Sequence, residues 1–328
     1  MFTQASASRK TKVVFDEAVA EFAHGVRTGL GKPQKELHSK YLYDELGSAL
    51  FEAITHLPEY GLTRADERLL REHADEIAEL VPSCETVIEL GSGTGRKTRS
   101  ILAALRRRHA RLRYYPIDVS AEALGRCERE LGDIAEVHPL QQSYLDGMAQ
   151  ALDARWQDEP VLVLFLGSTI GNFEPRCALA FLRDLRSALR PADSLLLGAD
   201  LIKDPAQLIA AYDDPTGVTA AFNLNLLGRA NRELDADFDL RSFQHEARWN
   251  ENQRRIEMHL RSLVDQTVSL AGCGLTVHFR AGETIWTESS HKFSADQLRQ
   301  MASDCGYRVE EQWTDRQWPF VESLWKAA

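Results

Sequence analysis

The sequence of 328 residues has no apolar run near the roughly 20 residues that a membrane-spanning helix requires. Its opening stretch, MFTQASASRKTK, is polar and lacks the apolar core of a signal peptide. Cysteine is sparse: Cys84, Cys127, Cys177, Cys273 and Cys305 lie far apart, with no CxxC pair. That odd, scattered set argues against a disulfide framework or a zinc knuckle and suits reduced thiols in the cytoplasm. The ten histidines form no HxH or HxxxH pair, so no metal site is expected. Positive charge is also in deficit, with 39 Lys and Arg against 49 Asp and Glu, a net charge of −10. Phosphate binding needs a clustered cationic excess, so neither nucleic acid nor a membrane is an expected partner. The one dense basic patch, Arg106, Arg107 and Arg108 with Arg111 and Arg113, closes a helical stretch, where the helix dipole favours cations.

What is present is an ordinary globular composition, 44% hydrophobic and 27% charged, long enough for one large domain or two modest ones. Residues 1–35 are polar and then mildly amphipathic, with Gly29, Gly31 and Pro33 marking a loop. Leu46, Leu50, Phe51 and Ile54 predict a helix over 44–56, stopped by Pro58. Thr63 is placed to cap the next helix, which carries Asp66 and Glu67 in its first turn and runs to Val81. From Cys84 the texture changes. Apolar strands in TVIELGSGTG (86–95), RYYPIDVS (113–120), VLVLFLGSTIGNF (161–173) and SLLLGADL (194–201), the first and third running into polar, glycine-bearing loops, alternate with helical stretches, which predicts a parallel sheet with helices on both faces. After Lys203 the alternation stops. Residues 204–234 read as helical and 244–292 as β-rich, before the α/β rhythm returns from 293. An insertion into an α/β domain explains this order better than two tandem domains.

GSGTG (91–95) follows a strand and precedes a helix, the context in which glycines permit a tight turn and close backbone approach to a ligand. Its GxGxG form lacks the spacing of the dinucleotide fingerprint. Asp118 ends the next strand, where a carboxylate can accept from two ribose hydroxyls at the carboxyl edge of the sheet. Both NAD and S-adenosylmethionine (SAM) carry that ribose. Glu89 before the loop tilts the choice toward SAM, with a buried strand acid serving a structural partner as its bland alternative.

Longer phrases carry a resemblance. YLYDELGSALFEAITHLPEYGLTRADE (41–67), ELGSGTGRKT (89–98), LFLGSTIGNFEP (164–175), LLLGADLIKDPAQLIAAYDDPTGVTAAFNLNLL (195–227), NRELDADFDLRSFQHEARWN (231–250) and RIEMHL (255–260) resemble the histidine-specific N-α-methyltransferase family of ergothioneine biosynthesis. The likeness runs from about residue 36 through nearly the whole chain. It implies a Rossmann-like class I SAM-dependent methyltransferase sheet (65–201 plus 293–328) with an inserted α+β substrate domain (12–64 plus 202–292). The implied activity is the transfer of three methyl groups from SAM to the α-amine of free L-histidine, giving hercynine, by a cytoplasmic monomer. By the same resemblance Gly91, Lys97, Asp118, Ser143 and Tyr144 hold the cofactor. Asn172 and Tyr212 hold the substrate carboxylate; Tyr60, Glu288 and Ser290 grip the imidazole, and Met258 is an apolar wall. Tyr43 and the backbone at Gly167 surround the reacting amine, where a glycine leaves room for a growing cation.

Three positions depart from the family pattern. Ser143 stands where an acid is common against adenine, which implies weaker cofactor binding. Gly61 stands where a second tyrosine is common beside Tyr60, which implies a looser loop. His291 follows the imidazole-reading pair and either reshapes the pocket or is an ordinary core or surface histidine. Three other readings remain: a family member acting on a different amino acid or biogenic amine, an NAD(P)-dependent oxidoreductase on the same kind of sheet, and a silent SAM-binding interaction protein.

Overall fold

The structure, a computed structural model, describes residues 5–156 and 159–328, with side chains from residue 18 onward. The chain forms two compact units. One comprises the N-terminal segment to Glu59 with Pro205–Asn250 and Ile256–Ser289; the other comprises Tyr60–Asp204, Glu251–Arg255 and Ser290–Ala328.

The first unit opens with α1 (Ala5–Leu30), β1 (Lys35–Glu36) and α2 (Glu45–Thr55). The helix α1 runs through Gly29, where the sequence suggests a loop, because the glycine lies against the chain beyond the turn. A Cβ there would fall 2.1 Å from the Glu36 carbonyl oxygen. Asp44 caps α2 by accepting from the Gly47 N–H at 2.7 Å.

The second unit begins with α3 (Gly61–Glu72) and α4 (Ala74–Leu80), two helices rather than the single one expected, with the break at His73. Thr63 lies inside the first turn of α3 and does not cap it. Gly61 starts that helix because the Trp318 indole lies on its Cα; a Cβ would fall 2.2 Å from the ring. The missing tyrosine therefore does not loosen the loop. A tryptophan from the far end of the chain fills the space.

Then follow β2 (Thr86–Leu90), α5 (Arg99–Arg108), β3 (Arg113–Asp118), α6 (Ala121–Leu131), β4 (Glu136–Val137), β5 (Leu140–Gln141), α7 (Tyr144–Asp153), β6 (Val161–Phe165), α8 (Pro175–Ala188) and β7 (Ser194–Asp200). The segment returning to the first unit supplies α9 (Pro205–Tyr212), α10 (Val218–Glu233) and β8 (Phe243–Asn250). It continues through β9 (Arg255–Ser262), β10 (Gln266–Leu270), β11 (Leu275–Phe279) and β12 (Thr284–His291). The chain closes with α11 (Ala295–Asp304), β13 (Tyr307–Thr314) and β14 (Phe320–Ala327).

In the second unit the strand order is β13-β14-β7-β6-β2-β3-β4, with β5 also on β3. Strands β2, β3, β6 and β7 run parallel, and β14 lies antiparallel to both β7 and β13. Every residue of β2, β6 and β7 is buried, as a sheet covered on both faces requires. Chain order reverses at β2, which has β3 on one side and β6 on the other, so their carboxyl ends flank the crevice in which such sheets bind ligands. The first unit holds a sheet ordered β1-β12-β9-β8 and the hairpin β10-β11, with α10 packed along α2.

The Gly61 contact is testable. Gly61→Ala drives a methyl into the Trp318 ring and is expected to cost about 1–3 kcal/mol, as overpacking does. Urea unfolding with an unchanged midpoint would remove this explanation.

Candidate active site

The glycine loop joins β2 to α5. Gly91, Gly93 and Gly95 all have φ between 53° and 75°, the left-handed region that a side chain disfavours. Each has its own spatial setting. Gly91 donates its N–H to the Ile117 carbonyl at 2.8 Å, tying the loop to β3. A Cβ on Gly95 would fall 2.6 Å from Cys127 Sγ and 2.7 Å from Leu131, both on α6. Gly93 faces open space, so the crest of the loop is accessible. Asp118, at the end of β3, accepts from the Gly93 N–H at 3.0 Å through one oxygen and from the Ser120 N–H at 2.9 Å through the other. That pins a half-exposed carboxylate beside the crest with lone pairs to spare.

Tyr144 begins α7, and its hydroxyl oxygen lies 3.1 Å from where a Cβ on Gly91 would be. Burial, with the Asp118 charge, pushes its pKa up to about 12, so the phenol stays protonated. Ser143 serves its own helix: it caps α7, its Oγ lying 3.4 Å from the Asp146 N–H and donating to Asp146 Oδ2 at 2.6 Å. Gly91, Asp118 and Tyr144 are thus brought together, with Ser143 exposed at the helix end.

Glu89, on β2, is buried inside the sheet with its Oε2 engaged twice. It accepts from Thr98 Oγ1 at 2.6 Å and from the Tyr114 hydroxyl, and burial pushes its pKa up to about 7 despite those bonds. Its Oε2 thus has the structural partners that a buried strand acid needs. Lys97 turns inward too, donating to Asp66 Oδ2 on α3 at 2.5 Å. Burial lowers the Lys97 pKa, but the Asp66 charge and hydrogen bond and the more distant Glu89 and Glu322 outweigh it, and the net shift is upward.

Gly167 follows β6 with φ 70° and donates its N–H to the same Asp66 oxygen at 3.1 Å. A Cβ there would point at Lys97 Nζ, 3.2 Å away. Backbone conformation and the lysine both constrain this position to glycine. Ser168 is also left-handed, at φ 59°, and its Oγ accepts from the Asp200 N–H at 2.9 Å. Asn172 closes the following 3-10 turn, half-buried, with no intramolecular hydrogen bond of its amide among the described residues. Tyr60 is buried at the start of α3.

Ser290 and its surroundings form a charged knot. Lys292 Nζ donates to Ser290 Oγ at 2.9 Å and pairs with Asp200 at 2.9 Å, while Lys203 bonds the other Asp200 oxygen at 2.5 Å and lies over the Trp318 ring. Burial pushes the Lys203 pKa down to about 8, helped by the neighbouring Lys292 charge. An ammonium only donates, so Ser290 receives a hydrogen bond from Lys292 through its oxygen. His291 points to the opposite side of β12 and is buried, its pKa lowered by burial; it is a core histidine.

In the first unit Tyr43 is held edge-on by Phe51 at 5.5 Å and Phe222 at 5.6 Å. Tyr212 ends α9, and its carbonyl accepts from His245 Nε2 at 2.8 Å. A carbonyl cannot donate, so Nε2 carries the proton and Nδ1 accepts from Asn223 Nδ2 at 2.9 Å. Burial lowers the His245 pKa and keeps the ring neutral. Met258 is buried on β9, its carbonyl accepting from Thr287 Oγ1 at 3.0 Å. Glu288, half-buried on β12, shares a strand face with Ser290 two residues on. Among the described residues no His, Cys, Asp or Glu group could hold a metal, and no helix is long and apolar enough to cross a membrane.

Sequence reasoning missed Asp66, Glu322, Lys292 and His245. Asp66 looks like an ordinary first-turn helix acid. Glu322, inside the apolar run FVESLW, carries a signal that could have found it, since an acid in a buried strand needs a partner.

The strand order and reversed last hairpin, with a glycine loop facing a strand-end carboxylate, define a Rossmann-like class I SAM-dependent methyltransferase. The profile described as "Histidine-specific methyltransferase, SAM-dependent" matches residues 22–327. The chain is 42% identical over 313 residues to the histidine N-alpha-methyltransferase of Mycolicibacterium smegmatis, covering 94% of this chain and 96% of that one. It is 43% identical over 307 residues to the Mycobacterium tuberculosis protein of the same name, covering 91% and 92%. The ergothioneine biosynthesis protein 1 of Neurospora crassa is 33% identical over 85% of this chain and 32% of its own length. The chain belongs to the SAM-dependent histidine-specific methyltransferase family, and its cofactor is SAM. The NAD(P) reading is therefore set aside.

The open crest at Gly93 and the pinned Asp118 carboxylate fit a cofactor with a ribose diol. Asp118→Ala is expected to weaken SAM binding about tenfold or more, since hydrogen bonds to a charged group are worth about 1.5–3 kcal/mol. Calorimetry on a folded variant with wild-type affinity would remove Asp118 from the cofactor site.

Proposed function

We propose that the protein transfers three methyl groups in succession from SAM to the α-amine of free L-histidine, giving hercynine, as a single chain in the cytoplasm. The match to the two mycobacterial histidine N-alpha-methyltransferases over nearly their whole lengths supports the activity, and the name of the fungal relative supports a place in ergothioneine synthesis. All five cysteines are free thiols, as a reducing compartment requires.

The observation that carries the substrate is the Ser290–Lys292 contact beside Glu288. Ser290, its oxygen accepting from an ammonium, serves one ring nitrogen, while Glu288 accepts from the ring N–H. A side chain without ring nitrogens forfeits both contacts, which is the stronger form of discrimination. Tyr60 lines the same recognition, and Met258 supplies an apolar wall. Asn172, with its amide uncommitted, and Tyr212, anchored through its carbonyl by His245, hold the carboxylate common to all amino acids. Gly91, Lys97, Asp118, Ser143 and Tyr144 serve the cofactor, and the sheet-bearing unit is the SAM-binding domain, with the other unit contributing substrate recognition.

SAM supplies an activated methyl group on a sulfonium. The chain's residues present a neutral amine in line with it. An α-ammonium, with a pKa near 8 or above, loses a proton first. Tyr43, its ring fixed between Phe51 and Phe222, orients the lone pair and passes the proton to water. Its π face also tolerates the cation that grows with each transfer.

Activity on another amino acid or amine is the second reading, and one panel separates the two. Purified protein with labelled SAM should methylate L-histidine far above other free amino acids, with a trimethylated end product by mass spectrometry. Glu288→Ala should erode discrimination on the order of tenfold, while Asn172→Ala should weaken all amino acids alike. A wild-type reaction that stops at one methyl group under excess SAM, or equal relative losses in both variants across the panel, would overturn this assignment.

A further inference from the structure

Beneath the glycine loop lies an acid cluster that the recognition of SAM or histidine does not itself require. Asp66 is wholly buried on α3, and Oδ2 receives both Lys97 Nζ at 2.5 Å and the Gly167 N–H at 3.1 Å. Its other oxygen, Oδ1, has no donor among the described residues, and neither carboxyl oxygen of Glu322 has one. Glu322 is 1% exposed on β14, opposite Gly198 of β7. Gly198 makes room for it: a Cβ there would fall 2.7 Å from Glu322 Oε1 and 3.3 Å from the Gly167 nitrogen. Two buried carboxyls and one partly buried ammonium thus meet with three carboxyl oxygens left without a donor among the described residues.

We propose that Asp66 and Glu322 are a buried acid pair sharing one proton, and that the pair positions Lys97 of the cofactor loop and the Gly167 backbone together. Two adjacent carboxyls out of water do not both ionise. Asp66, which takes an ammonium and an amide, is the charged member. Glu322 is the acid, and its hydroxyl donates to Asp66 Oδ1, which satisfies two of the three idle oxygens. Burial first, then the Asp66 charge and hydrogen bond, raise the Glu322 pKa well above the ordinary carboxyl range; Lys97 opposes this and Glu89 adds to it. Those three side chains, from α3, the glycine loop and β2, are the titratable groups facing it. With the proton in place, Asp66 and Lys97 balance each other, and Lys97 is held where the loop passes Gly167. When the proton leaves, a second negative charge competes for the lysine and draws it from its place.

This function rests on the cofactor reading of Lys97, but the shared proton does not, so the two can fail separately. In the full-length protein near neutral pH, infrared difference spectra should contain a protonated carboxyl C=O stretch that disappears in Glu322→Gln. Persistence of every such band in that variant overturns the proton assignment. Stability gives an independent readout. A carboxyl whose pKa is raised on folding stabilises the native state fully only below its unfolded value near 4.3, and that contribution is lost as pH rises toward the folded value. Glu322→Gln should therefore gain thermal stability over wild type progressively from pH 5 to 8; a pH-independent offset counts against the pair.

For positioning, calorimetry should find SAM binding about tenfold weaker in Asp66→Asn and Lys97→Met. Glu322→Gln should stay within about twofold of wild type and lose the alkaline decline in affinity that wild type has. Wild-type affinity in Asp66→Asn, or a Glu322→Gln variant as weak as Asp66→Asn, overturns the positioning role. If Asp66→Asn does not fold, Lys97→Met and the pH profile of Glu322→Gln decide the matter. Normal SAM binding in Lys97→Met with the infrared band intact means instead that Lys97 is not a cofactor ligand.

Discussion

Strands β2, β6 and β7 are buried along their whole lengths on both faces, and this one constraint governs where chemistry can occur in the second unit. A strand sealed between helices has no place for an uncompensated polar group, so polarity collects where the strands end. There the chain turns with positive φ at Gly91 and Gly93, at Gly167 and at Ser168, and Asp118 and Asp200 terminate their strands with carboxylates. Reversal of strand order at β2 sets the glycine loop and the Gly167 loop on neighbouring strand ends. Polar groups that remain inside the sheet, Glu89 and Glu322, survive only because hydroxyls, or a retained proton, relieve the charge.

The fold was legible because its signals were local. Continuous apolar strands alternating with amphipathic helices dictate a parallel sheet, and the break after Lys203 marks the insertion. The strand expected over 194–201 coincides with β7 to within a residue. Where expectation and structure differ, the cause is a contact distant in sequence. Gly29 looks like a helix stop until Glu36 is seen against it, and Gly61 looks permissive until Trp318 covers it.

Of the candidate site, the loop geometry at Gly91 and Asp118 could be read from spacing, while the other roles came from resemblance alone. Partners in a charge network are not encoded by neighbours along the chain. Lys292 bonds Ser290 two residues away, yet its charge is balanced by Asp200, and Asp66 meets Glu322 from the other end of the unit. Neither pair leaves a periodicity or a motif. The His245 tautomer is likewise fixed only by what Asn223 and the Tyr212 carbonyl offer it.

The Trp318 indole bears on how this sequence can have diverged from its relatives. It lies against Gly61, donates its N–H to Asp200 at 2.9 Å and carries Lys203 over its face. A side chain at residue 61 cannot coexist with that ring, and removing the ring first strips Asp200 of a donor and Lys203 of its cover. The two solutions are therefore separated by a clash in one direction and an exposed charge knot in the other. Residues 61 and 318 can therefore change only together, and a chimera that swaps the C-terminal strands without the start of α3 inherits half of the arrangement.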